Sequence, residues 1–187
     1  MKSILIKASG LFFILILVVA ALIFSVRFSD GPKGPLAGGA LKSGTVVPDA
    51  SVDWNSELGG TDGAEIVFHL ESTQISRTTG SIVYGGQLYI PCDLGFIWKR
   101  FSGSTRIILN TMYILKNWHE EAMLNGDVVI RIGDNLYERR LERELDPRIL
   151  NELRHITERQ VDESYMGPLP EVEGNPDEIW YFSVQSR

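Results

Sequence analysis

The strongest cluster of groups that could bind a ligand is the run Ser76-Arg77-Thr78-Thr79-Gly80. A guanidinium and three hydroxyls can converge on a phosphate or a carboxylate, and arginine grips such an anion through two parallel hydrogen bonds. The run lies between two predicted strands, so the alternative is an exposed strand that Thr and Arg merely populate. The sequence leaves both interpretations open.

A second cluster, Trp98-Lys99-Arg100-Phe101, places two cations between two aromatic residues. The cations could meet an anion while an aromatic face stacks on a flat ligand. Alternatively, Trp98 and Phe101 are core residues and the two cations form a solvated edge. Together the two clusters predict a set of residues that binds a cofactor or another phosphorylated ligand: Arg77, Thr78, Thr79, Lys99 and Arg100.

No catalytic set or metal site is recognised in the sequence. Cys92 follows Pro91 at a strand end, but a nucleophilic cysteine needs a base or a positive field, and no histidine is placed to supply it. The adjacent residues His119-Glu120-Glu121 face different sides of a helix, whereas a zincin needs histidines four residues apart. His155 and Glu158 share a helix face, yet one such pair is common by chance. Catalytic residues stay unassigned, no metal is predicted, and whether the protein is an enzyme stays open.

The charge balance excludes some partners. The 187 residues carry 24 acidic and 18 basic side chains, and residues 28–187 hold all the acidic ones against 15 basic ones. Such an acidic body argues against a nucleic-acid partner, whose affinity depends on Lys and Arg that neutralise phosphates. It also argues against a body that lies flat on anionic lipid. Its length suits one domain with one core.

Alternating apolar and polar residues predict the strands. Glu65–Glu71 is apolar at every second position. Ser81–Ile90 reads as a hairpin around Gly85-Gly86, and Val128–Leu141 reads as a second hairpin around Gly133-Asp134-Asn135. The last predicted strand is Ile179–Val184.

Two helices are predicted between these strands. Apolar residues three and four apart indicate one over Arg106–Leu124, with Gly126 as its stop. The second begins at Asp146-Pro147, an N-cap followed by proline, and continues to about Gln160. Residues 165–177 read as a loop. The order predicts an α+β fold, mainly antiparallel β, with the sheet curled into a small barrel and two helices packed against it.

An apolar run from Leu11 to Val26 contains no charged side chain. Extended back to Ile4, it reaches the ~20 residues that a membrane-crossing helix needs. Its exit lacks the small residues of a cleavage site, which favours a retained anchor over a cleaved signal peptide. Lys2 and Lys7 precede the run and favour a cytoplasmic N-terminus with a periplasmic or extracytoplasmic body. We therefore predict a single-pass membrane protein with one N-terminal transmembrane helix.

The stretch from Asp30 to Gly44 is rich in glycine and proline and shows no helical or strand periodicity. Its composition indicates a spacer, and the alternative is an ordered Gly-Pro loop that docks on the body or on a partner. The predicted organisation is a membrane anchor over 1–27, a Gly/Pro-rich spacer and loop over 28–60, and a barrel domain over 61–187.

Over about 65–187 the order of elements resembles the flavin-binding split-barrel proteins, which include pyridoxamine-phosphate oxidases and deazaflavin-dependent reductases. The matching features are the hairpin Ser81–Ile90, the Lys99-Arg100 pair before a helix, the hairpin Val128–Leu141, and a final aromatic strand ending in Arg187. The resemblance implies a small split barrel with a flavin-type cofactor, FMN or a deazaflavin, on its surface, commonly between two subunits. In that family an arginine on an early strand and a lysine before the central helix hold the cofactor phosphate, and Arg77 and Lys99 occupy the comparable places. The stretch after Pro91 lacks the family's common Lys-x-x-Asn-Leu run.

These observations lead to two functional hypotheses. The first is a membrane-anchored split-barrel-like domain that binds a flavin-type or other phosphorylated ligand, with oxidoreductase activity left open. The second is a non-catalytic accessory subunit or ligand-binding module of a membrane complex. A homodimer and a membrane-complex partner are the alternatives for assembly.

Overall fold

A computed structural model describes residues 13–15, 17–18, 21, 24–34, 36–48, 52–60, 63–93, 118–164 and 179–187. Of the predicted site residues, Lys99 and Arg100 lie outside these ranges. So do residues 106–117 of the first predicted helix and the loop predicted over 165–177.

The described part of the chain gives the bounds of eight strands and three helices, besides helical residues between 13 and 26. The strands are β1 (Thr45–Val47), β2 (Glu65–Leu70), β3 (Ser76–Gly80), β4 (Ile82–Tyr84), β5 (Gln87–Asp93), β6 (Asp127–Ile132), β7 (Asn135–Arg143) and β8 (Ile179–Gln185). The helices are α1 (Trp54–Glu57), α2 (Trp118–Leu124) and α3 (Pro147–Ser164).

The strands form one sheet in the order β3-β2-β6-β7-β8-β5-β4, and every neighbouring pair along this path is antiparallel. Cα atoms of β3 and β5 approach within 8 Å, so the sheet curls back on itself. The predicted α+β fold with a mainly antiparallel sheet is confirmed, and its curled sheet agrees with a split-barrel-like fold. One pairing was not predicted, because β1 runs parallel to the start of β7.

Both predicted hairpins are present, and local turn chemistry explains them. Gly85 and Gly86 have φ angles of 60° and 82°, which a two-residue hairpin turn requires and which L side chains rarely adopt. In the second hairpin Ile132 pairs with Asn135, so the turn consists of Gly133 and Asp134 alone. Asn135 is the first residue of β7 rather than the third residue of the turn.

The inner face of the curled sheet carries the main core. Side chains alternate between the two faces of a strand, so Phe68 of β2 and Phe182 of β8 both point inward. Trp118 of α2 is 2% exposed and packs between them. Its ring centroid lies 5.0 Å from that of Phe68 and 5.2 Å from that of Phe182. Helix α2 is thereby fixed against the inner face.

Helix α3 covers part of the outer face. Asp146 caps it, since the backbone N–H of Arg148 donates to Asp146 Oδ1 over 2.9 Å. The helix begins at Pro147 as predicted and continues four residues past the predicted end, to Ser164. Its apolar side packs on strands β4, β5 and β8 through a cluster that includes Ile82, Tyr89, Leu153, Ile156 and Tyr181.

A different stretch of the outer face is covered by the strap, which we define as residues 27–34 and 36–44. Leu41 is 6% exposed and packs with Val129 and Leu136. Gly38 pairs with Ser76 of β3 through two backbone hydrogen bonds, of 3.0 and 3.1 Å. These contacts favour the ordered Gly-Pro loop over a free spacer for this segment.

The prediction of an N-terminal transmembrane helix is contradicted. Among the described residues, no helix has both the length and the apolarity needed to cross a membrane. An apolar run satisfies the composition of a spanning segment, and composition alone does not establish the helix. The prediction of a single-pass protein with a periplasmic or extracytoplasmic body, which depended on that helix, falls with it.

Candidate functional site

Strand β3 places the three described members of the predicted binding set on two different faces. Arg77 pairs with Phe68 and Thr79 pairs with Ile66, so both side chains lie on the inner face. Thr78 pairs with Val67 and lies on the outer face. The structure therefore brings the guanidinium and one hydroxyl together but does not bring Thr78 to them.

Arg77 lies in a charged and partly buried environment. Burial lowers the pKa of its guanidinium, because a low-dielectric surrounding disfavours the charged form. The carboxylate of Glu121 on α2 acts in the opposite direction, while the positive charge of Arg27 in the strap lowers the pKa further. Cys92, which lies on the inner face, also contributes to the field at Arg77.

Trp180 lies beside Cys92, since the two residues pair across β5 and β8. The guanidinium carbon of Arg143 lies 3.7 Å from the centroid of the Trp180 ring. The His119 ring meets the same indole edge to face, with centroids 5.2 Å apart and planes at 88°. A cation held over an indole face is a favourable arrangement.

These residues make up one inner-face cluster, which we define as Arg77, Cys92, His119, Glu121, Arg143 and Trp180. Strands β3, β5, β7 and β8 and helix α2 each contribute at least one member. Residues 94–117, between Asp93 of β5 and Trp118 of α2, lie outside the described ranges. Lys99 and Arg100 belong to that segment and stay predictions.

Sequence reasoning missed His119 and Arg143 as members of this cluster. Glu138, Glu142 and Glu144 interleave with the arginines of the second hairpin, and that pattern predicts an exposed, salt-bridged strand. In the structure Arg139 is 2% exposed, and its guanidinium lies 5.8 Å from the ring centroids of Trp54 and Tyr137. Period-two counting from Tyr137 does place Arg139 and Arg143 on the inner face, and that signal was available in the sequence.

Arg187, one of the features that carried the resemblance, holds the end of β8 in place. Its guanidinium forms ion pairs with Glu71 over 2.8 Å and with Glu138 over 3.8 Å. Its Nε also donates to the carbonyl oxygen of Arg139 over 3.2 Å. These contacts tie β8 to β2 and β7.

The chemistry available in the cluster is binding rather than an evident proton transfer. Cys92 is 0% exposed and His119 is 6% exposed. In the described ranges no three His, Cys, Asp or Glu side chains come together as a metal site. The cluster offers two cationic groups, an indole and an imidazole, which is a suitable set for an anion attached to a flat ring.

Comparison with known proteins gives little beyond shape. No family model matches the chain, and no curated protein matches it. A pyridoxamine 5'-phosphate oxidase-like protein of Listeria innocua has a TM-score of 0.41 at 14% identity, over 70% of this chain and 88% of that one. A similar protein of Corynebacterium glutamicum has a TM-score of 0.30 at 13% identity, over 72% and 89%. Both overlays score below 0.5, so neither carries an argument about function.

Proposed function

We propose that this chain is a split-barrel-like domain that binds an anionic, planar ligand at the inner-face cluster, and that the ligand is of the flavin type, FMN or a deazaflavin. The observation that carries the proposal is the position of Arg77. Strand β3 places this side chain on the inner face, where it interacts electrostatically with Cys92, the residue that pairs with Trp180. The order of elements, which resembles the flavin-binding split barrels, supports the same class of ligand.

Charge favours an anion at this position. Arg77 experiences the positive field of Arg27, and Arg143 adds a second guanidinium within the cluster. The carboxylate of Glu121 acts on Arg77 in the opposite direction. Partial burial of Arg77 strengthens its interactions, because the effective dielectric there is lower than that of water. A phosphate, with more than one negative charge, would compete with Glu121 for the Arg77 guanidinium.

The flat part of the ligand has a matching surface. Trp180 and the guanidinium plane of Arg143 form the kind of stack that also accepts an aromatic ring system. Arg77 and Thr79 would hold the phosphate, and Lys99 and Arg100 stay proposed additions to this set. A bound flavin would itself supply the electron and hydride chemistry. The residues of this chain would bind it, orient it and exclude water.

The visible spectrum of the purified full chain, followed by titration with FMN, a deazaflavin and inorganic phosphate, tests the proposal. We expect saturable binding of a flavin that Arg77→Gln weakens by roughly 10- to 150-fold, because a hydrogen bond to a charged group contributes about 1.5–3 kcal/mol. Glu121→Gln should strengthen the binding by removing the competing carboxylate.

Two adjacent threonines supply a matched control. Thr79→Val should weaken flavin binding, because Thr79 shares the inner face with Arg77. Thr78→Val should leave binding unchanged, because Thr78 lies on the outer face. The absence of both a bound chromophore and saturable binding would end the cofactor proposal. Equal effects of the two threonine variants would place the ligand elsewhere.

Binding without turnover is the second candidate function. Among the groups of the cluster that could move a proton, Cys92 and His119 are buried and Glu121 interacts with Arg77, which favours it. A chain that binds flavin yet does not accelerate its reduction by NADH or NADPH would support this candidate. Steady-state turnover with either nicotinamide would favour an oxidoreductase.

A further inference from the structure

The strap is attached to the barrel through a histidine side chain. His69 of β2 is 3% exposed and lies on the outer face. The backbone N–H of Leu41 donates to His69 Nδ1 over 3.3 Å. A ring nitrogen that accepts a hydrogen bond carries no proton, so this contact requires the neutral imidazole with its proton on Nε2.

The same contact positions the apolar side chain of Leu41. Leu41 packs on Val129 and Leu136, and Val67 lies against this cluster. His69 pairs directly with Val129 across β2 and β6, so the histidine lies beside the Leu41 cluster. Losing the hydrogen bond would free the residue whose side chain covers this patch.

We propose that acidification unlatches Leu41 and the adjoining end of the strap, residues 36–44, from the barrel by protonating His69. A protonated imidazole has no acceptor at Nδ1 and would oppose two donors, the Leu41 N–H and its own N–H, in a site that water does not reach. Release of Leu41 separates the two N–H donors and lets water hydrate the imidazolium.

Burial lowers the pKa of His69 below its ordinary value of 6.5, and the field of Glu71 only partly opposes this. The folded chain therefore holds the neutral ring at pH 7. The hydrogen bond from the Leu41 N–H to His69 Nδ1, which we call the latch, is fully formed above pH 6.5. It is lost as pH falls through the lowered pKa of His69 in the folded chain.

The other charged groups on the described elements around His69 come from β2, β6 and the strap. From β2 the neighbour is Glu71, and from β6 it is Arg131, which shares the outer face with His69. From the strap come Lys42 and Asp30, whose carboxylate forms an ion pair with Arg131 over 3.4 Å. The hydroxyl hydrogen bond from Ser43 lowers the pKa of Asp30. Strand β3 contributes the hydroxyl of Ser76 opposite the ring.

Hydrogen–deuterium exchange of the full chain, corrected for the intrinsic dependence of exchange on pH, tests the latch. As pH falls from about 8 through the lowered pKa of His69, we expect peptides covering 36–44 to lose protection by roughly tenfold, the effect of losing about one hydrogen bond. Peptides of α3 should keep theirs. Unchanged protection of 36–44 over this range would overturn the proposal.

Two variants separate His69 from other titrating groups. His69→Asn keeps an acceptor near the position of Nδ1 but cannot be protonated, so its strap should stay protected at low pH. His155→Asn removes an imidazole that is 63% exposed on α3 and should respond like the parent chain. The same loss of protection in His69→Asn would refute the role of His69.

If His69→Asn does not fold, NMR of the parent chain decides the question. The titration of the His69 ring and the exchange of the Leu41 amide should then share one midpoint. Midpoints that differ by more than the error of the two curves would also refute the latch.

Discussion

Replacing Gly126 by alanine tests how closely the start of β6 approaches β7. Gly126 lies between α2 and β6, and a Cβ at this position would lie 2.3 Å from the carbonyl oxygen of Leu141. Real Cβ atoms do not approach a backbone oxygen so closely, and a backbone atom cannot rotate away as a side chain can. The Gly126 carbonyl also accepts a hydrogen bond from the Leu141 N–H over 2.8 Å. The substitution must therefore separate two strands that this bond holds together.

The expected cost follows from these two contacts. Overpacking of a fixed site costs about 1–3 kcal/mol, and weakening one backbone hydrogen bond adds about 0.5–1.5 kcal/mol. The lower entropy of an unfolded chain with alanine returns about 0.4–1 kcal/mol. We expect Gly126→Ala to lower the free energy of unfolding by about 2–3 kcal/mol, or the Tm by roughly 5–10 °C.

Gly80 provides the matched control. A Cβ at Gly80 would meet no atom within 4 Å, and this glycine does not adopt a positive φ. Gly80→Ala should be neutral or stabilising by up to about 1 kcal/mol. Urea unfolding of both variants, followed by circular dichroism, measures the difference. Equal stability of Gly126→Ala and the parent chain would show that the close approach of Gly126 to Leu141 does not exist in solution.

Two further predictions concern polar contacts. Tyr137→Phe removes the hydroxyl that donates to Glu57 Oε2 over 2.5 Å, and it should lower the free energy of unfolding by about 1.5–3 kcal/mol; an unchanged urea midpoint would contradict this. The Ser43 hydroxyl, followed by backbone N–H groups, lowers the pKa of Asp30 below 3.8, so the carboxylate stabilises the fold above that pH and the effect is lost as pH falls below it. Asp30→Asn should flatten the fall of the urea midpoint below pH 3.8, and an unaltered acid slope would refute the role of Asp30.

The elements that the sequence predicted correctly depend on local signals. Gly85-Gly86 and the cap at Asp146 determine turns and helix starts within a few residues, so their effect can be seen without the rest of the chain. Strand β1 is different. Thr45–Val47 is three residues long, and its partner is the start of β7, far along the sequence. Nothing local distinguishes such a strand from a loop.

The strap also depends on contacts with residues distant in sequence. Its glycine and proline content is typical of a spacer, yet these contacts hold it on the barrel. Asp30 pairs with Arg131, and Leu41 donates to His69. Glycine serves close approach here: a Cβ at Gly38 would lie 1.9 Å from the carbonyl oxygen of Gly31. Composition cannot distinguish a glycine kept for flexibility from one kept for tight packing.

Only some residues of the candidate site could be selected from the sequence. Arg77 and Thr79 were chosen for their chemistry, and strand periodicity could have excluded Thr78. The contact between Arg143 and Trp180 could not be foreseen in the same way. It depends on the register of β7 against β8, and two strands so distant in sequence leave that register open.

The sequence contains one cysteine, and the structure places it where no reagent can reach it. Cys92 is 0% exposed, on the inner face of β5, opposite Trp180 of β8. A thiol reacts only when it is both accessible and ionised, so alkylation of the native chain must wait for β5 to open. The rate of Cys92 alkylation at fixed pH therefore measures how often β5 opens locally, and it needs no added label. If a flavin binds at the inner-face cluster, Cys92 alkylation should be slower in its presence.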